Sequence, residues 1–212
     1  ADMVAGNARL AAVVRAAGGD VIDGFLAATS LYLGIAVGAF AVASVLRMHA
    51  EESAGRVEVV LTTAVHRGGY FDRVVGVTAV AATMLLVVGG LGAGVTAAVV
   101  RGDAGLVLSQ LGAQLVQLPA VLVMTGLAAA VVGLAPRLAA AAWVVVAWVV
   151  VVGFFGMLLG LPSWARHLSP FAWLPQVPAE PLEVLPLVGL TALAVVLFRA
   201  GQDGFRWRDV PA

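Results

Sequence analysis

Five apolar stretches dominate this chain, near residues 25–46, 74–100, 106–135, 139–160 and 184–199. An α-helix needs roughly 20 such residues to cross about 30 Å of hydrocarbon. Few folds are open to a chain built this way. Inside a bilayer every backbone polar group must be bonded within the protein, so spans are helices or strands of closed barrels. Apolar runs of this length are helices. The expected fold is therefore an all-α polytopic membrane protein with about five transmembrane helices. The 106–135 stretch exceeds what a span needs, which predicts tilt or an interfacial turn. The 184–199 stretch is short, which predicts a helix that begins inside the proline-rich sequence before it.

Composition agrees with that class and excludes several functions. Hydrophobic residues make up 62% and charged residues 11% of the chain, against about a quarter charged in soluble domains. With no cysteine there is no disulfide, thiol nucleophile or thiolate metal site. All twelve basic residues are arginine, so there is no Walker A loop and no Schiff-base lysine. A formal net charge of zero offers nothing to nucleic acid. The first residue is Ala1 and the start lacks a signal-peptide layout. We expect a segment of a longer polypeptide, with one more helix upstream.

Between the first two apolar runs, residues 47–73 carry Arg47, Glu51, Glu52, Arg56, Glu58, Arg67, Asp72 and Arg73. At about 2.5 kcal/mol or more per charge at the bilayer centre, burying all of them would cost on the order of 20 kcal/mol. The segment is expected in water or in the interface. Placing it in the cytoplasm puts eight arginines on that side and four on the other, in the sense of the positive-inside rule. Residues 1–24 then form an extracellular N-terminal segment, 25–199 the transmembrane domain and 200–212 a cytoplasmic tail. The 161–183 stretch has five prolines and two tryptophans. It predicts short, broken extracellular helices with Trp164 and Trp173 at headgroup level, either as a plain interfacial loop or re-entrant beneath a protein cover.

The charged segment contains E-E-x-x-x-R at Glu51, Glu52 and Arg56, a pattern found in some intramembrane proteases. Such a protease would use a membrane glutamate as general base, supported by histidines. The accompanying F-x-x-x-H and H-x-x-x-N/D motifs are missing around His49, His66 and His167. His167 lies between Ser163 and Ser169, and a proline-broken outer loop makes it an interfacial histidine rather than half of a nucleophile pair. An amphipathic helix fits the segment better. Glu51 and Glu52 suit an N-terminal turn, Glu52 and Arg56 are an i, i+4 pair, and Gly68-Gly69 would end the run. Such a helix, with Gly55 allowing close approach, suits docking in a groove.

The pattern R-x-x-A-E-E-x-x-G-R-x-E-x-x-L-x-x-x-V-x-R, Arg47 to Arg67, resembles the cytoplasmic loop of ABC-2-type permeases. It is most similar to the polyketide-antibiotic (tetronasin-type) and multidrug exporters of actinobacteria. DVIDGFLAATSLYLGIAVGAFAVASVLR and the ending LSPFAWLP…FRAGQDGFRWRDV are also similar to that family. The resemblance implies a cytoplasmic coupling helix seated in a cleft of an ABC ATPase subunit. It would be contacted through Glu51, Glu52, Arg56, Glu58 and Arg67, with close packing at Gly55 and Leu61. Ala64 departs from the family, where proline is common, and would let the helix run slightly longer. The resemblance also implies spans two to six of a six-helix half, the C-terminal one, paired with a second half fused upstream or present as a second copy. No cofactor is implied in this chain; ATP and Mg belong to the partner ATPase dimer.

Other positions are read from the spans themselves. Gly34/Gly38, Gly90/Gly94 and Gly156/Gly160 are pairs four apart and predict close helix packing. Gln110, Gln114 and Gln117 share one face of the third span, as helix glue or as the lining of a wet path. Tyr32, Phe40, Trp143, Trp148, Phe154 and Phe155 on the first and fourth spans could line an apolar cavity, where the family's cavity lies. The function so implied is the membrane half of an ATP-driven exporter of hydrophobic molecules. The alternative is an ABC-linked mechanical or regulatory membrane protein without cargo.

Overall fold

The computed structural model describes residues 8–53, 67–156 and 159–207, with side chains from 23 to 51, 69 to 156 and 159 to 207. Helices occur as α1 (Ala8–Ser53), α2 (Arg67–Arg101), α3 (Gly105–Val116), α4 (Leu118–Leu134), α5 (Ala142–Phe155), α6 (Ser163–Arg166) and α7 (Val184–Arg206). Two short 3-10 turns, Pro136–Ala141 and Pro170–Trp173, precede α5 and follow α6. Among the described residues there is no strand. Among the described residues five helical stretches are long and apolar enough to cross a membrane: Asp23–Glu51, Gly69–Arg101, Gly105–Leu134, Pro136–Phe155 and Val184–Arg206.

Helix α1 runs for 46 residues, about 70 Å at 1.5 Å per residue. No proline interrupts it, and alanine-rich sequence carries it past both edges of the apolar run. Glu51 and Glu52 therefore lie in its last turn rather than in the first turn of a separate helix. Gly68 and Gly69 likewise belong to the first turn of α2. Helix α2 starts at Arg67, seven residues before the apolar run expected from 74.

At its far end α2 closes on Gly102 at φ 70°, a left-handed position that suits glycine after a helix. The Gly102 N–H bonds the Ala98 carbonyl at 2.8 Å. Asp103 Oδ1 accepts from the Gly105 N–H at 2.8 Å, and α3 turns back beside α2. An ion pair between Arg101 and Asp23, 3.6 Å apart, ties this end of α2 to α1.

The third span is broken at Gln117. Pro119 has no N–H, and its ring crowds the carbonyl four residues earlier. The chain answers with a tighter bond, Gln117 N–H to the Gln114 carbonyl at 3.1 Å, before α4 resumes. The expected turn is present, but inside the span rather than at its edge.

Helix α4 is the centre of the bundle, with Ala120, Val121, Met124, Ala128, Ala129 and Val132 all buried. It packs against α1, α2 and, most extensively, α7. Contact with α7 is backbone-close. A Cβ added at Gly126 would stand 2.9 Å from the Ala194 carbonyl oxygen, and one at Gly204 would stand 3.0 Å from that of Gly133. Such contacts hold α7 helical to Arg206, well beyond the expected 199, although Gly201 and Gly204 lie within it. Helix α7 also starts at Val184, after the proline-rich stretch and not inside it.

Two of the expected glycine pairs do pack. Gly34 and Gly38 face Phe171, and Gly90 and Gly94 face α3 at Leu111 and Val107. At the third pair, Gly156 is buried with Val152 of its own preceding turn nearest, and Gly160 takes φ 56° in open space after α5. The proline-broken stretch folds inward: Ser169, Pro170, Phe171 and Leu174 are buried while Trp164 and Trp173 stay exposed. Phe171 reaches Gly34 and Gly38, near the middle of the Asp23–Glu51 stretch.

Candidate functional site: the charged segment and the clefts of the bundle

Gly55, Arg56, Glu58 and Leu61 of the charged segment lie outside the described residues, as do His66 and most of the amphipathic helix expected there. Its two roots are described. Glu51 is half-buried in the last turn of α1, Glu52 follows it in the helix, and Arg67 opens α2. Val45 and Met48 on α1 share one buried cluster with Phe71 and Val75 on α2. Phe71 is fully buried and stacks on two rings of α7, Phe205 at 5.1 Å and Phe198 at 6.1 Å. One residue on, Asp72 accepts from Gln202 Nε2 at 2.7 and 2.8 Å through its two carboxylate oxygens. The start of α2 is thus clamped to the far end of α7 by an aromatic stack and a hydrogen-bonded pair.

The three glutamines are all buried, on the face of the third span that meets α1. Gln110 Nε2 donates to Ser30 Oγ at 2.7 Å and to the Leu26 carbonyl at 3.3 Å. Gln114 Nε2 reaches the Ser30 carbonyl at 3.5 Å. Gln117 packs its methylenes where Gly34 leaves room. Gln110 Oε1 and Gln117 Oε1 have no hydrogen-bond partner among the described residues. Gln110 and Gln114 thus bond across the helix interface.

Most of the aromatic candidates are exposed. Tyr32 on α1 stacks on Phe154 of α5 with centroids 4.3 Å apart. Phe40, Trp143 and Phe155 are also exposed, whereas Trp148 is half-buried. Tyr32, Ala36 and Phe40 fall four apart on one open stripe of α1. The structure therefore divides the cavity candidates: the glutamines lie inside the bundle and most of the aromatics on its outside.

A cleft that sequence reading missed lies between α2, α4 and α7. It has a volume of about 250 Å³ and is lined by Asp72, Val75, Ala79, Leu122, Thr125 and Phe198 among others. Apart from Asp72 its residues are small or apolar, and they come from three separate helices, so no local pattern marks them. A second cleft, of about 300 Å³, lies in the proline-rich stretch, lined by Trp173, Leu174, Pro175, Glu180, Pro181 and Glu183.

Among the described residues no three His, Asp or Glu side chains come close enough to hold a metal. His167 Nδ1–H donates to the Ser163 backbone carbonyl at 2.7 Å, not to a hydroxyl, and the His167 carbonyl accepts from Trp173 Nε1 at 2.8 Å. Both bonds hold the loop.

Residues 1–206 match the family described as multidrug efflux system permease Rv1217c, C-terminal domain. The chain belongs to this family of multidrug efflux permease domains. It is 32% identical over 212 residues to the multidrug efflux system permease protein Rv1217c of Mycobacterium tuberculosis (strain ATCC 25618 / H37Rv). That alignment covers 99% of this chain and 39% of the relative. The chain spans about two fifths of the relative's length, and the efflux permease domain it represents is a multi-pass membrane protein.

Proposed function

We propose that this chain is the C-terminal membrane half of an ATP-driven ABC-2-type exporter of hydrophobic drugs or antibiotics in the bacterial plasma membrane. The observation that carries the reading is the match of nearly the whole chain to an efflux permease C-terminal domain. A separate ATPase dimer supplies ATP and Mg. The segment from Glu51 to Arg67 docks in its cleft on the cytoplasmic side. Glu51, Glu52, Arg56, Glu58 and Arg67 make the charged contacts, and Gly55 and Leu61 the close ones.

The clamp at the root of α2 supports this mechanism. A push on the segment reaches α7 through Phe71–Phe205 and Asp72–Gln202. Because packed helices switch between discrete arrangements rather than bending continuously, the push biases the bundle between two states. The open stripe of Tyr32 and Phe40, with Trp143, Phe154 and Phe155 nearby on α5, is where the second half packs and encloses an apolar cavity.

The test is an affinity pull-down of the tagged full-length permease from native membranes in mild detergent, with and without Glu52→Arg. An ATPase subunit should come down with the wild type and be lost from the variant. Recovery of no ATPase with the wild type, or equal recovery with both, sinks the proposal.

A further inference from the structure

The cleft between α2, α4 and α7 has a polarity that its neighbours do not require. Apart from Asp72 it is lined by apolar groups and by hydroxyls already in use. Thr125 Oγ1 donates to its own helix at the Val121 carbonyl, 2.8 Å away, and Thr191 Oγ1 to the Leu187 carbonyl at 2.7 Å. At one end stands the Asp72 carboxylate, half-buried in the second turn of α2 and two residues before the apolar run that begins near 74. Among the described residues its side-chain partner is Gln202, a neutral amide. The amide orients the carboxylate without neutralising it. A charge held against apolar walls at the edge of a bilayer is costly, and such residues ordinarily have a partner of opposite sign.

The cleft runs from Asp72 past Val75 to Ala79, seven residues or about 10 Å along α2. It opens sideways, where Gly76, Thr191 and Val195 are exposed. Polarity therefore falls from the bilayer edge inward, as it does along an amphiphile lying in a membrane. A volume of about 250 Å³ is just below the roughly 300–1,000 Å³ of sites for drug-sized ligands. It admits one slender tail, not the two acyl chains of a phospholipid.

We infer that this cleft binds a single-tailed lipophilic amine entering from the bilayer, with the ammonium on Asp72 and the tail against Ala79 and Phe198. Ammonium–carboxylate bonds are charge-assisted and strong where water is scarce. The inference rests on the chain spanning a membrane and is independent of ATP-driven export.

The test reads binding with no ATPase or nucleotide present. The full-length permease is placed in nanodiscs of phosphatidylcholine and phosphatidylglycerol. It is photolabelled with a dodecylamine carrying a mid-chain diazirine, or with the alcohol of the same chain, and the labelled peptides are mapped by mass spectrometry. The amine should label α2 and α7 around Ala79 and Val195. Asp72→Asn, which keeps an amide partner for Gln202, should cut that labelling about tenfold, corresponding to about 1.4 kcal/mol. The alcohol should label the same site weakly and equally in both proteins. Ala79→Leu fills the tail pocket with Asp72 intact and should remove labelling by the amine. Amine labelling that is indifferent to Asp72→Asn, or spread evenly over exposed helix faces, overturns the inference. Absence of labelling in the wild type, as when another part of the full-length protein fills the cleft, also overturns it. Adding phosphatidylethanolamine should leave labelling unchanged; its loss would assign the site to a lipid headgroup and overturn the single-tailed occupant.

Discussion

Gln202, near the end of α7, donates one amide nitrogen to both oxygens of the Asp72 carboxylate, at 2.7 and 2.8 Å, across 130 positions of sequence. The side chain is 8% exposed, so the bond forms where water competes little. Removing the donor leaves a half-buried carboxylate less well solvated, at a cost of about 1–3 kcal/mol. Gln202→Ala should therefore melt below the wild type in a thermal scan of the purified full-length permease. Gln202→Glu should melt lower still, since two carboxylates would then face each other at hydrogen-bond distance. Equal melting of all three proteins would mean the pair contributes nothing to the fold.

The α4–α7 interface depends on the absence of side chains. A Cβ at Gly201 would meet the Ala129 carbonyl carbon at 2.6 Å, a contact with backbone that cannot swing aside. Gly92, by contrast, has nothing within 4 Å of its would-be Cβ. Gly201→Leu should yield aggregated protein by size-exclusion chromatography. Gly92→Ala should elute as the wild type does, or more stably, because alanine favours the helix by about 1 kcal/mol. A monodisperse Gly201→Leu protein would contradict the backbone-close packing.

How much of this was legible in the sequence differs by the physics involved. The five spans follow from length and hydropathy, because backbone satisfaction in lipid permits little else. Their ends do not, since tertiary contact decides them: α7 continues to Arg206 because Gly201 packs on α4 and Gln202 bonds Asp72 of α2. The shared face of Gln110, Gln114 and Gln117 is read from helical period. Their partner Ser30, some 80 residues away, is not. Gly34 and Gly38 announce themselves by spacing. Gly133 and Gly201 face each other from different helices, and nothing local marks them among 25 glycines. The Asp72 cleft needs three helices to exist, so Asp72 in the sequence is one charge in a charged segment.

Gln110 joins α3 to Ser30 by a 2.7 Å bond, yet its own carbonyl oxygen has no partner among the described residues. Interhelical hydrogen bonds in membranes average about 0.6 kcal/mol and reach about 1.7. Gln110→Leu removes the bond and the buried carbonyl together, so the two effects offset. The variant should fall within about 1 kcal/mol of the wild type. Gln110→Glu keeps the shape but places an ionisable group among apolar neighbours, and should be clearly less stable. If leucine proves as damaging as glutamate, the buried amide is more than an adhesive between helices.

Phe171 holds the proline-broken stretch against the bundle. Its ring is 5% exposed and lies beside Gly34 and Gly38, so that a Cβ at Gly34 would stand 3.1 Å from the ring edge. Trp164 and Trp173, seven residues before and two after it, are exposed. Truncating a buried phenylalanine ordinarily costs about 3–5 kcal/mol through lost transfer energy and the cavity left behind. Phe171→Ala should thus destabilise strongly, whereas Phe171→Leu, which refills part of the space, should cost less. The local consequence is the sharper reading. With the anchor gone, residues 161–183 should exchange amide hydrogens faster, while α4 and α7 keep their protection, because few contacts join the stretch to those helices. Mass-spectrometric hydrogen exchange on the reconstituted protein resolves the two regions. Uniformly faster exchange would show instead that the stretch and the bundle unfold as one unit.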